Sequence, residues 1–311
     1  LDVSSNTSLI DLQCENNQLT SLDVSANTSL TTLYCLGNQL TSLDVSNNTA
    51  LTYINCGSNQ LTTLDVSGAT DLGYLHCNDN QLTTLDVSNN TALHTLSGSG
   101  NQLTSLDVSN NTALTYINCG INQLTTLDVS NNTFLTQLEC NNNQLFYLNM
   151  KNGVTDEFEY FNATNNSLTC IETLDPYYAT ANWTNANGNI DAGVTFDVIC
   201  GSEARTHWYV ATTGSDNSGS GTLASPLASI QTAINVATDS DTVSVAAGTY
   251  VENINFNGKN ISIIGSDRET TIIDGDQNGS VIQIVDSDSA YIAGFTIQNG
   301  TGTSDEIYAP W

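Results

Sequence analysis

The 311-residue chain carries 4 Lys and Arg against 32 Asp and Glu, a net charge of -28 at pH 7, and residues 1–150 contain no Lys or Arg. Such a field repels polyanions, so nucleic acid and anionic membrane surfaces are excluded as partners, while cations and neutral polymers are left. No apolar run approaches the ~20 residues that span a bilayer, so no membrane insertion is expected in this segment.

The chain repeats itself from the start. A 21-residue unit restarts at Leu1, Leu22, Leu43, Leu64, Leu85, Leu106 and Leu127 without insertion or deletion. A fixed period of this length predicts a solenoid, whose units bury their apolar face only by stacking. In one coil the apolar positions are Leu30, Leu33, Cys35, Leu40, Leu43 and Val45. Period-two alternation around Leu33-Tyr34-Cys35 and Leu43-Asp44-Val45 predicts two short strands, each with one face inward. Asn38 and Asn48 fall at the turns, where a corner asparagine can satisfy free backbone groups. The halves read Leu-x-x-Leu-x-Cys-x-x-Asn and Leu-x-x-Leu-Asp-Val-x-x-Asn, so the coil is expected to be two near-equivalent arches. Leu30-x-x-Leu33-x-Cys35-x-x-Asn38-x-Leu40 resembles the leucine-rich repeat consensus, and the doubled pattern resembles its bacterial 21-residue nested subclass. The resemblance covers residues 1–150 and implies a solenoid used for binding, rarely for catalysis.

Cys14, Cys35, Cys56, Cys77, Cys119 and Cys140 share one inward position. Stacked residues sit ~4.8 Å apart with parallel Cβ directions, whereas a disulfide wants converging Cβ atoms ~3.8 Å apart. Buried free thiols are expected, acting as small hydrophobes. A metal–thiolate ladder is the alternative. Gly98 takes this position in the fifth coil and predicts a small void.

The seven copies differ mainly on the outward face of the first strand. Tyr34, Tyr53, Tyr74 and Tyr116, with His76, form a strip there that suits glycan or protein contact. The plainer reading is that aromatics favour half-exposed strands. On the other strand, Asp2, Asp23, Asp44, Asp65, Asp86, Asp107 and Asp128 recur. Carboxylates ~5 Å apart repel by roughly 1 kcal/mol in water. The expectation is a raised pKa in some of them, relieved by Ser/Thr hydrogen bonds or by calcium at Asp23, Asp44, Asp65, Asp86 and Asp107. No other cofactor is called for. Thr20, Thr41, Thr62, Thr83, Thr104 and Thr125 form a regular hydroxyl row, which raises ice binding as a further reading.

The repeat fades after Tyr147. Phe161 to Cys170 reads as a degenerate coil, and 151–200 as that coil plus a cap. Leu168-Thr169-Cys170-Ile171, Ala181-Asn182-Trp183 and Cys200 resemble the C-terminal caps of secreted leucine-rich proteins of Bacteroidetes-type bacteria. Cys170 and Cys200 lie off the ladder, 30 positions apart. A disulfide between them is expected and implies an oxidising compartment; two more buried thiols are the alternative.

Residues 201–207 read as a linker. From Trp208 a new pattern runs through Trp208-Tyr-Val, Gly214-Ser-Asp and Gly221-Thr to a helix. Leu227, Ile230, Ala233, Ile234 and Ala237 fall on one helical face, with Ser225 before Pro226 as its start. Asp241 to Tyr250, Ile261 to Ile264, Thr271 to Ile273, Val281 to Ile284 and Phe295 to Ile297 read as short strands between Gly, Asn and Asp turns. Residues 208–311 resemble the N-terminal part of a right-handed parallel β-helix of the pectate-lyase superfamily, with a short capping helix. That family's catalytic basic residues and calcium-binding acids lie on later coils. Lys259 and Arg268 match none of its motifs, so no catalytic residue is carried over.

The fold class expected is an all-β solenoid: leucine-rich repeats, then the first coils of a β-helix. The chain begins and ends inside repeating patterns, so it is read as a window of a larger exported protein. The function expected is extracellular or cell-surface bacterial recognition of a glycan or surface protein, adhesin-like and non-catalytic here, after passage through the secretion machinery of its bacterium. The alternative is the N-terminal part of a polysaccharide lyase or hydrolase with its active site beyond Trp311. His94 and His207 have no partner cluster in sequence, and no Ser-His-Asp order, zinc spacing or phosphate loop occurs.

Overall fold

The computed structural model describes residues 1–201 and 205–302; part of the expected linker 201–207 and the last residues of 208–311 lie outside them. The chain divides into two compact units, Leu1–Phe196 and Asp197–Trp311. Val198 is fully buried in the core of the second.

In the first unit eight short strands form one parallel sheet: Asp11–Gln13, Thr32–Tyr34, Tyr53–Asn55, Tyr74–His76, Thr95–Ser97, Tyr116–Asn118, Gln137–Glu139 and Tyr160–Asn162. Equivalent residues pair, so Ile54 lies against Leu33 and Leu75. The last step pairs Leu138 with Phe161, and the degenerate coil thus extends the sheet. The middle side chain of each strand points into the core, where Leu33, Ile54, Leu75 and Leu138 lose all exposure. Its neighbours point out, as period-two geometry requires.

Corner asparagines bind coil to coil. Asn38, Asn59, Asn80, Asn101 and Asn122 each donate through Nδ2 to the carbonyl three residues earlier and to its equivalent in the preceding coil, at 2.9–3.1 Å. Each Oδ1 accepts the N–H of a leucine in the preceding coil, Leu19 to Leu103. The side chain substitutes for a strand neighbour where the chain turns.

The second corner works differently, and the two arches are not equivalent. Asn27, Asn48, Asn90, Asn111 and Asn132 also donate twice to the preceding coil, as Asn48 does to the carbonyls of Val24 and Asn27 at 2.9 Å. Their Oδ1 atoms accept nothing from the described residues. The cause is one residue of length. Leu40 follows Asn38 by two positions, but Leu51 follows Asn48 by three, and its N–H closes back on the Asn48 carbonyl at 3.0 Å. The donor that the first corner lends to the next coil is consumed locally.

The second face is also looser. Ser42–Asp44 pairs with Thr63–Asp65, and Thr126–Asp128 with Tyr147–Asn149, which continues to Cys170–Glu172 and Thr195–Asp197. The same sequence at Leu22, Leu85 and Leu106 forms no strand. A cleft of about 420 Å³ opens between the Leu106 coil and the strand Thr126–Asp128 that follows it, lined by Leu106, Asp107, Thr126 and Asp128 among others.

The six ladder cysteines are free and buried. Burial pushes the thiols of Cys35, Cys77 and Cys119 up to about 12, far from a reactive thiolate. Cys170 and Cys200 are disulfide-bonded. After the repeats, α1 (Pro176–Asn182) starts at Asp175, whose carboxylate accepts the Tyr178 N–H at 2.9 Å. Trp183 then packs on Phe158, Phe161 and Phe196, with centroids 4.6–5.8 Å away, covering the apolar end of the stack. Lys151 Nζ meets Glu172 Oε2 at 2.9 Å, with both side chains nearly excluded from solvent.

The second unit is also built from parallel strands. The chain returns in turn to three sheets: His207–Val210, Thr242–Val245, Ser262–Gly265 and Tyr291–Ala293; Gly248–Val251, Thr271–Asp274 and Thr296–Gln298; Ile254–Asn255 and Ile282–Gln283. Its helix α2 spans Ile230–Val236 and starts at Ser229, not at Ser225. Ser225 bridges Thr222 and Leu227 pairs with Val210, so the chain is still extended there. Leu227, Ile230, Ala233, Ile234 and Ala237 are all buried as the pattern requires. Both ends of α2 are held by coil side chains. Glu252 accepts the N–H groups of Ile230 and Gln231 at 2.9 Å, and Lys259 donates to the carbonyls of Ile234, Asn235 and Ala237 at 2.8 Å. Burial moves both pKa values toward the neutral forms, Glu252 upward and Lys259 downward.

Two outcomes are expected. A Cβ on Gly98 would meet Cys77 Sγ at 3.7 Å and Leu85 Cδ2 at 3.9 Å, ordinary contacts, so Gly98→Ala should stabilise the fold by about 1 kcal/mol, read as a higher urea midpoint. A lower midpoint would show that no space exists. Alkylation under denaturing, non-reducing conditions should modify six cysteines, and mass mapping should join Cys170 to Cys200; eight modified thiols would refute the bridge.

Candidate recognition face

The eight-stranded sheet turns alternate side chains outward in two columns. One contains Thr32, Tyr53, Tyr74, Thr95 and Tyr116; the other contains Tyr34, Asn55, His76, Ser97 and Asn118. Register therefore sets tyrosines of adjacent coils side by side. Tyr34 and Tyr53 meet at a centroid distance of 4.8 Å, Tyr53 and Tyr74 at 5.9 Å, and Tyr53 and His76 at 5.6 Å.

His94 joins them and does have a partner: its ring stacks on Tyr74 at 6.3 Å with a 22° tilt. It precedes the strand Thr95–Ser97, so strand periodicity gave no reason to single it out. The signal was Gly73, whose missing side chain in the adjacent coil leaves room beside His94 Nδ1. Tyr116, by contrast, stands apart beyond Thr95. Its hydroxyl donates to Glu139 Oε1 at 2.9 Å and accepts from Asn118 at 3.3 Å. The platform is thus Tyr34, Tyr53, Tyr74, His76 and His94, spread over four coils. Tyr74 is 47% exposed and the edges of Tyr34, Tyr53 and His76 are half-buried. Burial holds the His76 imidazole below its usual range and raises the Tyr53 hydroxyl, so both are neutral at pH 7. Such a surface offers ring faces with hydroxyl and imidazole tips.

On the opposite face the aspartates make the serine hydrogen bonds that the sequence offered them, but without the raised pKa. Each accepts the N–H of the serine two residues on at 2.9 Å, from Asp2 with Ser4 to Asp128 with Ser130. Serine side-chain and backbone hydrogen bonds hold Asp23, Asp44, Asp86 and Asp107 below the ordinary carboxylate value, and the Ser4 backbone does so for Asp2. Where repulsion from the preceding aspartate acts, as on Asp23, Asp44 and Asp107, it is the smallest contribution. The raised pKa expected from the sequence is therefore corrected. Exposed carboxylates repel weakly through water, and a local hydrogen bond outweighs that. Among the described residues, no group of three or more His, Cys, Asp or Glu lies close enough to hold a metal ion.

In the second unit His207 also gains partners. Its ring stacks on Tyr209 at 4.7 Å, and Nε2 lies 2.8 Å from Ser244 Oγ. An apolar hollow of about 400 Å³ adjoins them, with Tyr209, Leu223, Pro226, Ser244 and Ile264 in its wall.

The pH dependence follows from the aspartates. The folded-state values of Asp2, Asp23, Asp44, Asp86 and Asp107 lie below the ordinary one, so their stabilisation is full above it and disappears as pH falls through the lowered values. The melting temperature of the full chain should fall as pH is lowered from 7 through about 4, and Asp23→Asn with Asp44→Asn should flatten that slope. A melting temperature that rises on acidification would restore the repulsion account. Millimolar calcium should raise it no more than sodium chloride at matched ionic strength.

A family model described as LVIVD repeat matches residues 73–99. No curated protein matches the chain. Among solved structures, the functional domain of InlJ from Listeria monocytogenes, which includes a cysteine ladder, is 24% identical with a TM-score of 0.52 over 95% of this chain and 60% of that one. Two more Listeria monocytogenes proteins match at TM-scores of 0.47 and 0.46: internalin C2, 20% identical over 62% of this chain and 83% of its own, and InlF, 19% identical over 92% and 88%. The chain spans only 60% of the InlJ domain's length. At 24% identity what this chain shares with the InlJ domain is the fold, an all-β parallel solenoid like that bacterial leucine-rich repeat domain.

Proposed function

We propose that this chain is a recognition segment of a bacterial surface or secreted protein, and that it engages its partner through the sheet face bearing Tyr34, Tyr53, Tyr74, His76 and His94. The observation that carries this is the contiguity of the five rings. They lie on the face whose side chains differ from coil to coil, while the opposite face repeats its Asp and Ser. A scaffold that needed only solubility would vary both faces alike. The disulfide-bonded cysteines support an oxidising, extracytoplasmic setting. Among the described residues no helix is long and apolar enough to cross a membrane. The parallel strands and α2 of the second unit support reading it as the start of a pectate-lyase-like β-helix, and α1 with Trp183 supports the cap reading. Lys259, fixed on the α2 carbonyls, is assigned a structural role, and the function proposed for these residues is binding without catalysis.

The test is binding of the full chain to glycan and surface-protein arrays. Tyr34→Ala, Tyr53→Ala and Tyr74→Ala together should cost at least about tenfold in affinity, since anchors of this kind dominate interfaces. The melting temperature should stay nearly unchanged, because the rings point outward. Asp44→Asn with Asp65→Asn on the other face should leave binding intact. Retention of full affinity by the tyrosine variant would move the site elsewhere.

A further inference from the structure

The apolar hollow of the second unit is built to enclose a small molecule, and the recognition face takes no part in it. Register sets Tyr209, Ser244 and Ile264 side by side on adjacent strands. They form one wall. The facing wall brings Leu223 and Pro226, on a segment pinned before any ligand arrives. Thr222 bridges Ser225, and Leu227 exchanges two backbone hydrogen bonds of 2.9 Å with the strand that carries Tyr209. Concave, mainly apolar, pre-formed walls with a few polar groups are what a small-molecule site requires. Leu223 is 76% exposed and Ile264 41%, so apolar surface at the hollow is left wet until something covers it.

The chemistry of the walls narrows the ligand. Among the described residues no charged side chain lines the hollow, and its polar side chains are the hydroxyls of Tyr209, Ser244 and Ser266. Ser244 Oγ lies 2.8 Å from His207 Nε2, and Ser266 Oγ 3.1 Å from Thr271 Oγ1. A hydroxyl donates once and accepts twice, so each keeps capacity for a ligand. The one ring in the wall, Tyr209, already stacks on His207 at 4.7 Å, and the surface offered is mainly aliphatic. A net charge of -28 disfavours an anionic end group. We propose that this hollow binds an uncharged, single-chain aliphatic amphiphile. The chain lies against Leu223, Pro226 and Ile264, and its hydroxyl, ester or amide end bonds to Ser244 and Ser266. The volume of about 400 Å³ suits this. At ~30 Å³ for a water-sized group it takes roughly a dozen such groups, a chain of about eight carbons with part of its head.

The experiment is titration calorimetry of the full chain with monoacylglycerols of four to ten acyl carbons, kept below their micelle concentrations, and with octanoate and cellotetraose. The acylglycerols should bind one to one, tightening by about fourfold per added methylene and levelling off once the hollow is full. Octanoate, with the same chain and a negative end, should bind at least about tenfold more weakly than octanoylglycerol. Ala246 lines the hollow and is exposed, so Ala246→Trp should fill it and weaken octanoylglycerol by about tenfold or more. Leu223→Ser with Ile264→Ser, which takes apolar side chains off the surface, should weaken it as well and serves if the tryptophan variant melts early. Val251 is 65% exposed on another sheet of the unit, and Val251→Ser should change affinity by less than about twofold. Unchanged binding by both wall variants overturns the site. Octanoate binding as tightly as octanoylglycerol overturns the uncharged class. Cellotetraose binding alone, lost in Ala246→Trp, would make the hollow a sugar site and refute the amphiphile. Binding of no probe overturns the proposal outright.

Discussion

Everything in the first unit depends on strict register between successive coils. Each strand is only three residues long, too short to hold a neighbour alone. The corner asparagines extend the grip past the strand ends, those of the first corner by spending the amide on two coils at once and those of the second by donating twice to the coil before. Shifting one coil by a residue would break these bonds and turn the inward leucines out together. The 21-residue period is thus a hydrogen-bonding requirement as much as a packing one. Where the period lengthens, before Tyr160, the sheet survives by one more strand before the chain turns to α1 and Trp183.

Most of this was legible in the sequence, for a physical reason. Leu33, Cys35, Leu43 and Val45 recur at one phase, and a strand allows only one orientation for that phase. The cysteine ladder followed from the same geometry. What stayed hidden were effects that identity patterns do not encode. The two half-coils share a pattern yet differ by one residue between Asn and Leu, and that residue redirects a donor. The aspartates read as a column of repelling charges that serine hydrogen bonds could relieve, but the pattern did not tell that those bonds outweigh the repulsion and lower the pKa. His94 lies outside the strand, so its stacking on Tyr74 emerged only when neighbouring coils were set side by side. Ser225 was the wrong helix start because Leu227 is claimed by Val210, a long-range pairing that outweighs the local Ser-Pro signal.

The two units solve their helix ends by the same logic with different groups. In the first, Asp175 caps α1 from within its own segment. In the second, Glu252 and Lys259 reach α2 from the coil that follows, one at each end of the helix. The two are moved toward neutrality by burial yet sit where the backbone partial charges favour their ionised forms. Beside its own N-cap Ser229, α2 thus draws part of its capping from a coil made later in the chain.

The placement of Lys151 has a consequence for survival outside a cell. Proteases of the trypsin type cut after a cationic side chain that must extend into their specificity pocket. Across the whole first unit they would find one such residue, and it is buried against Glu172. The tyrosine face is thus displayed on a scaffold that this class of enzyme has almost nowhere to begin digesting.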